Sequence, residues 1–274
     1  MEKIQCWQQN NKRAESMAQN LKTEIIGDGA QKVVFLHGLM GRGKNFATIA
    51  KKLDGFTSLL VDLPNHGASP WTESFDYNEM ADLVAETLRA DFAATGPVNV
   101  VGHSMGGKVA MVLALRHPDV VCSLVVLDIA PSASRGNFDH LLGSMLKLKL
   151  SEFSTRGQAN QALAEAVSDD GVRGFLLQNL KKGGGGFAWE PNLELLYHSL
   201  DTIMGWEPRT ESFGGPVLWV AGTESDYVQP EDSATMRALF PRVRKITLKG
   251  AGHWIHADKP RETVLLLQSF LSDQ

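Results

Sequence analysis

One short stretch sets the chemistry to look for. Gly102-His103-Ser104-Met105-Gly106 follows the apolar run Val98 to Val101 and precedes a helical pattern, so a serine stands at the tip of a strand, tight turn and helix. Glycine is needed two places before and two places after that serine, because side chains there collide with neighbouring backbone. Such a turn presents the Ser104 hydroxyl for attack on a carbonyl carbon. It also aims the backbone N–H of Met105 at the oxyanion that results. His37-Gly38-Leu39, directly after the run Val33 to Leu36, offers the N–H of Leu39 as a second donor, with His37 supporting that loop.

A hydroxyl is a weak nucleophile unless a neighbouring base takes its proton. Of eight histidines, His253 is the candidate: it lies in Gly250-Ala251-Gly252-His253-Trp254, between the last strand pattern and the last helix, in the chain order serine, acid, histidine. His256 is the alternative. The rest (His37, His66, His103, His117, His140 and His198) read as hydrogen-bonded or surface imidazoles. A His253–His256 metal pair lacks a third ligand at metal spacing, so no metal and no cofactor is expected. Two acids compete to orient the imidazole: Asp128, at the end of Val121 to Leu127, and Asp226, in Gly222-Thr223-Glu224-Ser225-Asp226. Spacing alone does not choose between them.

These residues need a rigid frame. Runs at 33–36, 58–62, 98–101, 121–127, 217–221 and 243–248 are short, apolar and rich in β-formers, as strands buried on both faces are. Helical patterns at 44–53, 77–93, 106–116 and 260–271 alternate with them, which predicts an α/β fold with a mostly parallel sheet covered on both sides. The alternation stops between about Pro131 and Gly215. There Leu141 to Leu148, Leu163 to Val167, Phe175 to Leu180 and Leu193 to Leu200 read as helices with no strand between them. The run Gly183 to Gly186 reads as a flexible connector between two of those helices.

Composition narrows the class. The chain has 274 residues, 43% of them hydrophobic, and a formal net charge of -4. No basic face of the kind that binds phosphate backbones is present, so no nucleic-acid partner is expected. No uncharged apolar run approaches membrane-spanning length, and the polar leader Met1 to Lys22 lacks a signal-peptide core. A cytoplasmic location is the default that follows. Cys6 and Cys122 are too few for a disulfide framework, and Cys122 reads as a small buried hydrophobe. Gly38-Leu39-Met40-Gly41-Arg42-Gly43-Lys44-Asn45 nearly spells a nucleotide-binding P-loop, but Asn45 stands where the Mg²⁺-binding hydroxyl is required.

HGLMGRGKNF, DLPNHGASP, GHSMGGKVAM, LDIAP and GAGHWIHADKP, in that order, make the chain similar to the small YbfF-like esterases of the α/β-hydrolase superfamily, from about Lys32 to Leu271. The resemblance implies an α/β-hydrolase core at 23–130 and 216–274, with an inserted helical lid at 131–215 after a leader at 1–22. It maps the family's acid onto Asp128, with Ser225 as a supporting hydrogen-bonder and Asp226 as the second candidate. It implies a small-molecule substrate, a short acyl ester or acyl-thioester, cleaved through an acyl-enzyme on Ser104. Met40, Phe138, Trp189, Trp206 and Trp254 are candidates to line an acyl pocket. Pro64 departs from the family, many of whose members carry arginine there. The same fold also serves ligand sensors, C–C hydrolases, lyases and metal-free haloperoxidases. Dehalogenases and epoxide hydrolases need aspartate in place of Ser104. The sequence sets no oligomeric state.

Overall fold

The structure, a computed structural model, describes residues 20–134, 136, 138–183 and 185–272. The expected leader, with Cys6, lies outside them as far as residue 19. Its last residues are part of the fold rather than a leader: Leu21 is buried, and the Lys22 backbone bonds Ser69 Oγ at 2.8 Å and the Asp62 N–H at 2.9 Å.

In chain order the elements are β1 (Thr23–Ile26), β2 (Gln31–Leu36), α1 (Ala47–Ala50), β3 (Phe56–Val61), α2 (Tyr77–Thr87), β4 (Val98–His103), α3 (Met105–Arg116) and β5 (Val121–Leu127). Then come α4 (Phe138–Leu146), α5 (Arg156–Ala164), α6 (Asp170–Leu177), β6 (Leu180–Gly183), β7 (Gly186–Trp189), α7 (Leu193–His198) and α8 (Leu200–Met204). The chain closes with β8 (Val217–Gly222), α9 (Asp232–Leu239), β9 (Val243–Leu248), α10 (Ile255–Asp258) and α11 (Pro260–Ser272).

The main sheet has seven strands in the order β1-β3-β2-β4-β5-β8-β9. Only β1 runs antiparallel, against β3. Every residue of β4 and β8 is buried, which is why these strands read as continuous apolar runs rather than alternating ones. One core covers each face. Val34, Leu36, Val100 and Val126 face α2 and α3, while Phe35, Val101, Val125 and Val220 face α1 and α11. The outer strand β9 departs from the two-sided burial expected, because as an edge it has a neighbour on one side only and most of its residues are half-buried or exposed. Cys122, expected to be buried, is half-buried at the outer end of β5.

Local chemistry explains the helix bounds. Asp76 caps α2, its carboxylate accepting the Asn78 and Glu79 N–H groups at 2.6 and 3.0 Å. The π-helical turn Leu88–Phe92 continues that helix to the end of the expected span. The first eleven residues of α3 are buried, and Pro118 stops it.

Between β5 and β8 the described chain forms α4 to α8 and one antiparallel hairpin, β6–β7. That hairpin corrects two expectations: the segment does contain strands, and Gly183 and Gly186 pair across the hairpin instead of lying in a connector between helices. Gly186 takes a φ of 110°, open only to glycine at little cost. Among the described residues no helix is long and apolar enough to cross a membrane.

Candidate active site

Ser104 follows β4, Asp128 follows β5, and His253 lies between β9 and α10, so each hangs from the carboxyl edge of the parallel sheet. Ser104 is held at φ 53° and ψ -123°, an uncommon region for a side-chain-bearing residue. Its packing leaves no room for flanking side chains. A Cβ on Gly102 would stand 2.3 Å from the Gly106 carbonyl oxygen, and one on Gly106 would stand 2.4 Å from those of Leu36 and His37. The turn is thus pressed onto the end of β2.

The Ser104 hydroxyl donates to His253 Nε2 at 2.9 Å, and His253 Nδ1–H donates to Asp128 Oδ2 at 2.8 Å. Asp128 is fully buried at φ 50°, with its Oδ1 accepting the Gly222 N–H at 2.9 Å and its Oδ2 also accepting the Ser225 hydroxyl. Between the two competing acids, the one bonded to the imidazole is Asp128. Asp226 is exposed, and its backbone carbonyl accepts from the Gln229 side chain.

The surrounding imidazoles are structural. Leu63 N–H donates to His37 Nε2 at 2.9 Å, so His37 carries its proton on Nδ1 and donates it to the Gly38 carbonyl at 2.8 Å. That bond braces the loop carrying Leu39. His103 Nε2–H donates to the His253 carbonyl at 2.8 Å, tying the serine turn to the histidine loop. Burial lowers His37 and His256 to about 4 and pushes His103 well below its ordinary value, so these rings are neutral at pH 7. Among the described residues no group of three or more His, Cys, Asp or Glu side chains is arranged to hold a metal ion.

A cleft opens over Ser104, walled by Leu39, Phe46, Phe138, Phe175, Trp254 and His256. It encloses about 380 Å³ between atoms, open solvent included, yet water centres can occupy only about 20 Å³ of it. That is room for about one water. Phe175, from α6, meets Trp254 at a ring separation of 5.9 Å and closes one side. Of the five residues expected to line an acyl pocket, Phe138 and Trp254 line the cleft over Ser104. Met40 is instead wholly buried in the core, because the β2 loop turns it inward. Trp189 sits on the β6–β7 hairpin, and Trp206 lines a separate cleft with Tyr77 and Arg209. Phe46, Phe175 and Asn45 went unsuggested, since their apolar or loop setting looks the same whether a residue fills core or cleft.

The P-loop-like stretch is accounted for in another way. Asp62 binds the N–H groups of Gly43 and Ala68 at 2.8 and 3.0 Å, and Asn45 bonds the Arg42 N–H at 2.7 Å and the Gln178 side chain at 3.0 Å. The Gly43 N–H, Asn45 and Asp62 are thus engaged within the protein instead of facing a phosphate or Mg²⁺.

The family model described as the alpha/beta hydrolase family matches residues 33–265. The chain belongs to the alpha/beta hydrolase family. Within that family, the chain is 39% identical to mouse sn-1-specific diacylglycerol lipase ABHD11 over 251 residues, 88% of this chain and 80% of that one. It is 32% identical to Esterase YbfF of Escherichia coli over 243 residues, covering 88% of this chain and 93% of the relative. The solved structure of a marine microorganism esterase superposes with a TM-score of 0.88 at 30% identity, over 92% of this chain and all (100%) of that one. This alpha/beta hydrolase thus has full-length relatives named for ester cleavage.

Proposed function

We propose that the protein is a carboxylic ester hydrolase acting through an acyl-enzyme on Ser104, with His253 as general base and Asp128 as the acid that orients it. The observation that carries the reading is the unbroken hydrogen-bonded chain from Ser104 Oγ through His253 to Asp128 Oδ2, 2.9 and 2.8 Å long, at the floor of an apolar cleft. The naming of the relatives as esterases and a lipase supports it.

In this mechanism Ser104 Oγ attacks the acyl carbon as His253 Nε2 takes its proton. The N–H groups of Leu39 and Met105 hold the oxyanion. The tetrahedral intermediate collapses as the imidazolium returns the proton to the departing alcohol or thiol. Water, activated by the same imidazole, then releases the acid and frees Ser104. Asp128 holds Nδ1–H, which keeps Nε2 turned toward serine and stabilises the cation between the two proton transfers. Segment 131–215 acts as a lid. With space for about one water in the cleft, Phe138 and Phe175 have to move before an acyl group enters. Small acyl groups suit these walls best.

The test is hydrolysis of a p-nitrophenyl ester series from acetate to palmitate by the wild type and by Ser104→Ala, both checked for folding. The expected result is activity on the short esters that falls to background in the variant. A folded wild type that cleaves none of the series sinks the reading and favours a ligand sensor on the same fold.

A further inference from the structure

We infer that Tyr227 is a positioning residue for the proposed base, its ring lying flat on the His253 imidazole to fix its plane and to favour the cation it forms during turnover. The inference rests on the hydrolase reading above. Tyr227 and His253 have ring centroids 3.7 Å apart and planes 19° from parallel. Among the aromatic pairs of the described residues this is the one stacked face to face.

The geometry leaves this contact something to do. Both nitrogens of His253 are engaged in its ring plane, Nδ1 by Asp128 and Nε2 by Ser104. In-plane bonds resist rotation poorly when the ring tips out of that plane, and tipping pulls Nε2 off the line to Ser104 Oγ. A ring packed 3.7 Å away blocks tipping to that side. His253 otherwise meets His103, 4.8 Å away and tilted by 45°, and Trp254 edge-on at 5.8 Å. His103 is tilted and Trp254 meets the imidazole edge-on, whereas Tyr227 offers the electron-rich face of its phenol to the cation.

Tyr227 is itself held in register with the acid. Its backbone N–H donates to Ser225 Oγ at 3.3 Å, and that hydroxyl donates in turn to Asp128 Oδ2. One short segment after β8 therefore presents a hydroxyl to the carboxylate and, two residues on, a ring to the imidazole. The far end of the ring lies beside the start of the inserted segment. A Cβ at Gly136 would lie 2.6 Å from the Tyr227 hydroxyl, so the phenol fills that corner. Burial, with the charges of Asp226 and Asp128, raises the phenol to about 12, and the ring is uncharged wherever the enzyme works.

The test compares Tyr227→Leu, Tyr227→Phe and Tyr227→Trp on paired esters with a common acyl group, one with an ethanol and one with a p-nitrophenol leaving group. A flat ring restores the stack, so Phe and Trp are expected to keep most of kcat. Leu is expected to lose roughly tenfold in kcat with KM within about twofold, the scale of a desolvated cation–π contact. The loss should be greater for the ethyl ester, because ethoxide needs the imidazolium proton to leave and p-nitrophenoxide does not. Should Tyr227→Leu fail to fold, Tyr227→Gln removes the ring at similar length. A kcat within twofold of wild type for the ring-less variant, or Phe as damaged as Leu, overturns the inference. Ser104→Ala, run alongside, separates the failures: residual activity there breaks the hydrolase reading itself. A dead Ser104→Ala beside a fully active Tyr227→Leu breaks only the role of Tyr227.

Discussion

At the scale of single residues, the acid is the position where sequence alone left two choices, and its geometry sets a sharp expectation. Asp128 closes β5 with its N–H bonded to the Val220 carbonyl at 2.8 Å, so its side chain crosses to the next strand's end and meets both Gly222 and His253. Replacing it by asparagine keeps the shape but removes the charge and permits the wrong imidazole tautomer. Asp128→Asn is therefore expected to lower kcat by about 10⁴-fold. Asp226→Asn should stay within about twofold of wild type, and kcat/KM for a short p-nitrophenyl ester compares the two. The reverse pattern would move the acid to Asp226. Sequence spacing could not separate these aspartates, since each follows a strand and precedes His253. What separates them is side-chain placement: the Asp128 carboxylate is buried against the Gly222 N–H and His253, whereas Asp226 is exposed. Ser104 and His253 were legible because a glycine-flanked serine between strand and helix, and a histidine between two glycine-rich and aromatic positions, leave local marks. Tyr227 left none, as its partner is distant in sequence.

At the scale of elements, the inserted helices are joined to the core by polar groups that hydrophobic patterning does not reveal. Asn179, fully buried, bonds the Met40 carbonyl at 2.7 Å, and Arg42 reaches the Gln178 carbonyl and the Glu190 carboxylate, so the loop bearing Leu39 is tied to the end of α6 and the hairpin. On the other side Lys108, four residues after Ser104 on α3, is 1% exposed and its ammonium donates to the carbonyls of Ile203, Met204 and Gly205 at 3.3, 2.8 and 2.7 Å. A lysine in an apolar helix reads from sequence as a surface residue; here it caps the last turn of α8. Lys108→Met fills similar volume but leaves buried carbonyls without donors. The expected cost is about 3 kcal/mol, from the lost hydrogen bonds and the orphaned acceptors. Thermal unfolding of the variant should fall by roughly 10 °C, with hydrogen exchange faster first at residues 200–205. An unchanged melting temperature would mean that α8 is held by its apolar contacts alone. The β6–β7 hairpin escaped the sequence reading for a related reason: Leu180 to Gly183 is mostly exposed and carries two lysines, so it lacks the alternating pattern of a strand.

At the scale of the whole molecule, the packing that builds the site also sets its acid limit. His37, His66 and His256 are lowered to about 4, 3 and 4, and His103 goes down further in the same sense, each chiefly because burial disfavours the charged ring. In the unfolded chain these imidazoles take up protons near 6.5, while in the folded protein they stay neutral until pH approaches 4. The unfolded state thus binds more protons across that interval, and the stability present above pH 6.5 is lost as pH falls toward 4. Each such ring contributes a slope of about 1.4 kcal/mol per pH unit, so the four together erode roughly 5–6 kcal/mol per unit. That is a large share of the 5–15 kcal/mol that typically separates folded from unfolded protein. Lys108, lowered by burial to about 7, adds stability in the same sense as pH rises above 7, so the melting temperature is expected to rise modestly from pH 7 to 8 and to drop steeply between pH 6 and 4.5. Because His103 and His256 wall the cleft and His37 braces the Leu39 loop, loss of esterase activity should track loss of structure over the same interval. His66→Gln removes one of these four rings, which packs edge-on against His37 at 5.1 Å, and should flatten the acid slope by about a quarter. Circular dichroism melts at half-unit pH steps measure this directly, and a melting temperature that stays flat down to pH 5 would show that these rings are already protonated in the folded protein.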